Sequence, residues 1–154
     1  MNPVLLQSYD APMSDQDEPE TEELSFSIRL LIKHPSCDPS EITRELGLTP
    51  HLAHKVGDAR QTPKGTSLPG TYRETAWGHT IRVTGERYFF RSAEALIGKL
   101  EERASFLQHL SETGGTVCLI FNLRGEHNVG DDLGWRSLAR LVALRVDLGV
   151  EVFP

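Results

Sequence analysis

The sequence has little cysteine and no long apolar run, and each of these shortages excludes a class of protein. Two cysteines, Cys37 and Cys118, are too few for a disulfide framework, which favours a reducing compartment and a cytoplasmic location. No apolar run approaches the roughly 18 residues of a membrane span, so we expect no membrane partner. The first eight residues lack the basic flank of a secretory signal. With 154 residues, 38% of them hydrophobic and 25% charged, the chain predicts one soluble globular domain.

Acidic residues are concentrated at the start of the chain. Residues 1–23 hold seven of the 22 acids and no lysine or arginine, which leaves 15 acids against 16 bases in residues 24–154. We therefore divide the chain into an acidic leader, 1–23, and a globular α+β domain, 24–154. The leader has too little apolar surface to offset its ordering entropy, so we expect it to be disordered in isolation. The leader serves either as a solubilising extension or as a segment that docks on a basic partner. The nearly neutral charge of the domain argues against nucleic acid as its ligand.

The first elements of the domain have clear local signals. Apolar and polar residues alternate over Leu24–Ile32, which predicts a half-buried strand. Asp38 is a helix cap, Pro39 fits the first helical position, and Glu41 completes a capping box. Gly47 ends this helix.

The rest of the pattern predicts an alternating α+β order. A short helix over His51–Lys55 and an irregular stretch over 57–74 come first, followed by a strand or a bent pair of strands over 75–84. A long helix then runs from a Ser92 cap to about Glu112, and its core residues are Leu96, Leu100, Leu107 and Leu110. The last elements are a central strand over 117–123, a helix capped by Asp131 or Asp132, and a closing strand over 149–153. The predicted core residues of the last helix are Trp135, Leu138, Leu141 and Val142. The order is β-α-β-α-β-α-β. We expect a mixed or mostly antiparallel sheet of four to five strands, with about three helices mainly on one face. Two β-α-β units joined by the long helix suggest an internal pseudo-repeat.

The region 49–74 is the leading candidate for a binding site. A loop-rich stretch of this length within one domain is often functional. Its charged residues and turn glycines can hold an anion, although no phosphate-loop spacing is present. The alternative is an ordinary surface loop. The candidate ligand- or partner-binding residues are Lys55, Asp58, Arg60, Lys64 and Arg73.

Other chemically active residues have simpler structural interpretations. Cys37 lies near His34 at a helix start, yet no orienting residue accompanies them, so it is interpreted as an ordinary thiol. Neither His51 with His54 nor the Asp131-Asp132 pair with Glu126 and His127 forms a recognisable metal motif. We therefore predict no metal, no cofactor, no catalytic residues and no enzymatic activity.

Several short motifs, in a fixed order, resemble the bacterial family catalogued as domain of unknown function 4279. They are Phe26-Ser27-Ile28, the run Asp38–Pro50, Lys55–Arg60, Thr62–Gly65, Tyr72 with Trp77, and Trp135–Phe153. The resemblance covers about residues 24–154. It departs from the family at Leu144-Arg145, where a glycine-bearing turn is expected. It implies an α+β domain and no established activity.

We therefore expect a non-enzymatic binding domain that acts by protein–protein recognition. Small uncharacterised families of this kind include immunity proteins, so an immunity or antitoxin-like role is one version of the prediction, by analogy alone. The alternative is a small-anion or metabolite-binding domain that uses the 49–74 region. Closed two-fold pairs dominate soluble oligomers, so a homodimer is the first assembly to expect.

Overall fold

The computed structural model describes residues 24–125 and 128–154, which form seven strands and five helices. The elements are β1 (Ser25–His34), α1 (Pro39–Leu46), β2 (Leu52–His54), β3 (Ala59–Gln61), β4 (Ser67–Thr71), β5 (Thr75–Thr84), α2 (Phe89–Ser92), α3 (Glu94–Glu101), α4 (Ala104–Glu112), β6 (Thr116–Arg124), α5 (Trp135–Leu144) and β7 (Val146–Phe153). The α+β class is confirmed. The acidic leader and the pair Glu126-His127 lie outside the described residues. None of the described helices is long and apolar enough to cross a membrane.

The strands form one five-stranded mixed sheet and a separate hairpin. The order in the larger sheet is β2-β5-β1-β6-β7, and β3 pairs with β4 in the hairpin. Strand β1 is antiparallel to both β5 and β6, whereas β6 and β7 are parallel. The mixed sheet of four to five strands is therefore confirmed, and β6 occupies the inner position that its two apolar faces predicted.

The alternation of β1 determines where the core lies. Phe26, Ile28, Leu30 and Ile32 are all buried on one face of the strand. The buried residues of α1, α3, α4 and α5 join them in one cluster, which places these helices on that face. The opposite face carries Ser27 and Arg29, and none of the helices in the described part of the chain packs on it. Burying each Leu or Ile contributes about 1.5–3 kcal/mol, so the covered face holds most of the stabilising apolar contacts.

Helix α1 begins and ends where the sequence predicts. The Asp38 carboxylate accepts hydrogen bonds from the Ser40 backbone N–H at 2.9 Å and from its hydroxyl at 2.6 Å. Gly47 ends the helix with φ +63°. The predicted capping box is wrong, because the Glu41 carboxylate lies 3.8 Å from the Cys37 Sγ instead of bonding the Asp38 N–H. One cap residue is thus sufficient to begin this helix.

The structure corrects the region that follows α1. Residues 51–55 do not form a helix, because Leu52–His54 pairs with β5 and the His51 N–H donates to the Gly78 carbonyl at 2.8 Å. Strands β3 and β4 form a hairpin inside the stretch 57–74 that the sequence predicted as irregular. Tertiary pairing with β5 therefore overrides the local helix signal.

The predicted long helix is divided into α3 and α4, and the short helix α2 precedes them. Ser92 closes α2 instead of capping a helix, Ala93 separates α2 from α3, and a turn at Glu102–Arg103 separates α3 from α4. All four predicted core leucines are nevertheless buried. The apolar spacing correctly predicted the buried face but not the breaks in the helix axis.

The last helix differs most from its predicted packing. Its N-cap is Gly134, and the Asp131 carboxylate instead accepts a hydrogen bond from the Phe90 N–H at 2.7 Å. Of the predicted core residues only Leu141 is buried; Trp135, Leu138 and Val142 are exposed. The closing strand also starts earlier than predicted, at Val146.

The two predicted β-α-β units have different geometry. Strands β6 and β7, joined by α5, are parallel neighbours. Strands β1 and β2, joined by α1, are also parallel because both run antiparallel to β5, but β5 lies between them. The first unit is therefore a split version of the second.

Arg145, between α5 and β7, adopts a left-handed backbone where glycine is expected. Its φ and ψ are 57° and 42°, and its N–H closes the helix by donating to the Val142 carbonyl at 3.0 Å. A non-glycine residue in this conformation costs about 1–2 kcal/mol of folding free energy.

We expect the Arg145→Gly variant to be more stable than the Arg145→Ala variant by about 1 kcal/mol in urea unfolding, because glycine adopts this conformation without strain.

The Gly and Ala variants form a matched pair, since both lose the Arg145–Glu112 ion pair at 3.1 Å. Their difference therefore isolates the backbone conformation. Equal stability of the two variants, or a more stable alanine variant, would contradict the strain at this turn.

Candidate functional site

The region 49–74 is an arm built on the hairpin β3–β4. The rings of His54 and Tyr72 stack with their centroids 3.6 Å apart. The Tyr72 hydroxyl donates to the Gln61 carbonyl at 3.2 Å and lies 3.3 Å from the Gln61 N. The stack ties the end of β4 to β2, and the hydroxyl bonds tie it to β3, so the arm has a defined shape.

Two of the five predicted site residues are brought together. Arg60 and Arg73 line a depression of about 370 Å³ beside the His54–Tyr72 stack. Glu74 also lines it and offsets part of the positive charge. This depression is the part of the arm that best fits a small anion.

The other three predicted residues have different positions. The Lys55 ammonium donates to the Asp38 carboxylate at 2.8 Å, and this bond lowers the pKa of Asp38 well below its usual range and raises the pKa of Lys55. Asp58 accepts a hydrogen bond from the Lys55 N–H at 2.9 Å and so closes a turn. Lys64 lies at the exposed tip of the hairpin. None of the three lines the depression that Arg60 and Arg73 share.

The environment of Cys37 favours the neutral thiol. Burial and the neighbouring Glu41 carboxylate raise the pKa of Cys37. The His34 Nδ1 accepts the Ser36 and Cys37 N–H groups at 3.0 and 2.8 Å, and its Nε2 lies 2.9 Å from the Thr113 hydroxyl. Both ring nitrogens of this buried histidine are thus engaged, which supports its interpretation as a structural residue.

The remaining histidines are separated from one another by their contacts. His51 lies on Gly78, with its Nδ1 3.0 Å from the Thr80 hydroxyl, whereas His54 stacks on Tyr72. His79 is half-buried, and its Nδ1 lies 2.7 Å from the Thr49 carbonyl oxygen. Within residues 24–125 and 128–154, no group of three or more His, Cys, Asp or Glu side chains could hold a metal ion.

An exposed apolar surface at the β7 edge of the domain was missed from the sequence. It is formed by α5 and β7, and we call it the α5–β7 surface; its residues are Trp135, Leu138, Val142, Leu148, Val150 and Val152. Trp135 is 70% exposed and Val142 75% exposed. Helix α5 packs against β7, so the two sets of side chains lie at the same edge. Single exposed apolar residues are ordinary, but a group of this size is typical of an interaction site.

A sequence signal for this surface was available. Helix α5 is apolar around more than one face, since Leu141 and Leu144 are buried while Trp135, Leu138 and Val142 lie on another side. A helix on one side of a sheet can bury only one stripe. The surplus apolar residues therefore indicate a second contact, whereas the prediction from the sequence placed all of them in the core.

Thiol reactivity tests the environment of Cys37. Because its pKa is raised, we expect Cys37 to react with a disulfide reagent at pH 7.5 more slowly than a free cysteine does. Glu41→Gln removes a negative charge beside the sulfur, lowers the pKa and should speed the reaction several-fold. Stopped-flow rates in a Cys118→Ser background isolate the one thiol.

Glu45→Gln is the matched control, because it removes a carboxylate from the same helix. Acceleration by Glu45→Gln equal to that by Glu41→Gln would show that net charge, rather than the Glu41 contact, controls the thiol. A rate in the unaltered chain equal to that of free cysteine would contradict the raised pKa.

Comparison with known proteins gives one match. The family model described as "Domain of unknown function (DUF4279)" matches residues 22–152, which is most of the chain. No curated protein and no solved structure matches.

Proposed function

The chain belongs to the DUF4279 family, and from this premise we propose that it is a non-enzymatic binding domain that recognises another protein through the α5–β7 surface. One observation carries the proposal: Trp135 and Val142 are mostly exposed beside an edge strand whose Val150 and Val152 are also exposed. Tryptophan residues of this kind dominate many protein interfaces.

The backbone at the outer edge of β7 can pair with a strand of a partner. Strand β7 is eight residues long, and on its outer side no strand pairs with it in the described chain. It contains neither lysine nor proline, the residues that commonly protect an edge. The opposite edge strand, β2, has only three residues. A partner segment can therefore extend the sheet at β7 while its apolar side chains cover α5.

Neighbouring charges hold this surface in place. Arg140 of α5 forms ion pairs with Glu94 and Glu101 of α3, which raise its pKa above the usual range. The Arg136 guanidinium lies 4.6 Å from the Trp135 ring centroid. Helix α5 is thus fixed before any partner arrives, which reduces the ordering cost of binding.

Two finer predictions belong to this proposal. An immunity or antitoxin-like role would make the partner a toxin, on the analogy given above. A cytoplasmic location is supported by the two cysteines, which are both unpaired.

A small-anion role for the 49–74 region is the second candidate. The observation that favours it is the shared depression of Arg60 and Arg73. The ion pair of Lys55 and the outlying position of Lys64 make this site smaller than the sequence predicted.

A capture experiment with the full chain tests the α5–β7 proposal. We expect a stoichiometric protein from the host lysate to be retained by the unaltered chain and lost with Val142→Lys, because a charge in the centre of the surface would be buried unpaired. Leu68→Lys is the matched control: Leu68 is 38% exposed on the hairpin, outside the surface. Trp135 emission should shift to the blue on adding the purified partner, since Trp77 is already fully buried.

The controls also locate the interface. Loss of the partner with Leu68→Lys but not with Val142→Lys would move recognition to the 49–74 arm and overturn the α5–β7 surface.

Light scattering on the chain alone tests whether the protein forms a homodimer. A dimer abolished by Val142→Lys would assign the surface to a second copy and overturn the proposal of a different protein.

A further inference from the structure

The open face of the sheet holds a positively charged cleft that the proposed function does not use. It is a depression of about 700 Å³, a volume within the usual range for small-ligand sites. Its chemistry comes from Arg29, Arg82, Arg124, His51, Ser27 and Asn122. None of its lining residues, all within the described chain, is acidic.

The strand register places these donors on one face. Ser27 of β1 lies opposite Arg82 on β5 and opposite Asn122 on β6. Arg29 is two residues further along β1, and Arg124 is two residues beyond Asn122, so both point to the same side as their neighbours. The Asn122 amide donates to the Ser27 hydroxyl at 3.2 Å, which orients the centre of the cleft.

Arg29 lies at one side of this cleft. Its guanidinium donates from Nη2 to the Glu151 carboxylate at 3.2 and 3.4 Å, so much of its charge is balanced within the domain. Its Nε is buried and therefore out of reach of a ligand in the cleft. Arg29 thus helps to shape the cleft, and the other arginines supply its charge.

Arg82 and Arg124 are the other two arginines of the cleft. Within residues 24–125 and 128–154 neither forms an ion pair, unlike Arg29, Arg44, Arg140 and Arg145. Guanidinium groups match the paired oxygens of phosphate and carboxylate better than ammonium groups do.

The ring of His51 closes one side of the cleft. Gly78 leaves room for it, because a Cβ there would lie 3.0 Å from the His51 Cε1. Burial, followed by the charge of Arg29, lowers the pKa of His51, so the ring is neutral at neutral pH and adds no charge of its own. The cleft therefore relies on the arginines for its attraction to anions.

We propose that this cleft binds a small phosphate-bearing molecule through Arg82 and Arg124. Phe153, which pairs with Arg124 in the sheet, forms an apolar side wall for the rest of the ligand. The acidic leader joins the domain at Leu24, next to the cleft residue Ser25, so its carboxylates are a second source of the same oxyanion chemistry.

Calorimetric titration of the full chain with pyrophosphate tests this site. We expect binding that weakens about tenfold with Arg82→Gln and again with Arg124→Gln, the loss typical of a charge-assisted hydrogen bond. Arg103→Gln, at the junction of α3 and α4, is the matched control and should leave the affinity unchanged. A tricarboxylate titrated in parallel should bind more weakly than pyrophosphate.

Further arms separate the two sources of anion and the two basic regions. A full-length variant with the seven leader acids changed to their amides should bind pyrophosphate more tightly if leader carboxylates compete for the cleft. Absence of binding to both this variant and the unaltered chain would overturn the proposal. Binding lost with Arg60→Gln but kept with Arg82→Gln would also overturn it, because the anion would then sit in the 49–74 arm.

Discussion

The burial of one face of β1 between β5 and β6 is the constraint on which the rest of the structure depends. Strand β1 is paired on both sides, so its apolar residues form the middle of a layer that helices must cover. Every large helical side chain in the core packs toward this layer. The polar residues of β1, including Ser27 and Arg29, are thereby forced onto the opposite face, because side chains alternate along a strand.

Period-two alternation was the most informative signal in the sequence. It correctly placed β1, and the two apolar faces of β6 correctly indicated an inner strand. The cap at Asp38 and the stop at Gly47 fixed α1, because both act through local backbone groups. These features depend on residues close together in the sequence, which is why sequence reasoning could find them.

The errors have a common physical cause. The sequence predicts a helix over residues 51–55, but hydrogen bonds with β5 stabilise an extended conformation more strongly. Trp135 and Val142 have helical spacing, yet spacing alone does not say which apolar side of a helix meets the core. The same limit applies to the cleft: Arg29, Arg82 and Arg124 are far apart in the sequence, and only the strand register brings them to one face.

The topology leaves two different surfaces for binding, and their chemistry differs for a structural reason. Strand β7 is the last strand in the sheet order and forms one edge, where helix α5 leaves several of its apolar residues exposed. The open face, in contrast, carries the outward-pointing residues of β1, β5 and β6, and around the cleft these include Ser27, Arg82 and Asn122. An apolar edge suits a partner that supplies a strand and apolar side chains, whereas a basic open face suits a small anion. The two surfaces meet at β7, because its last residue, Phe153, is also a wall of the cleft, so a partner strand paired with β7 would lie beside the anion site.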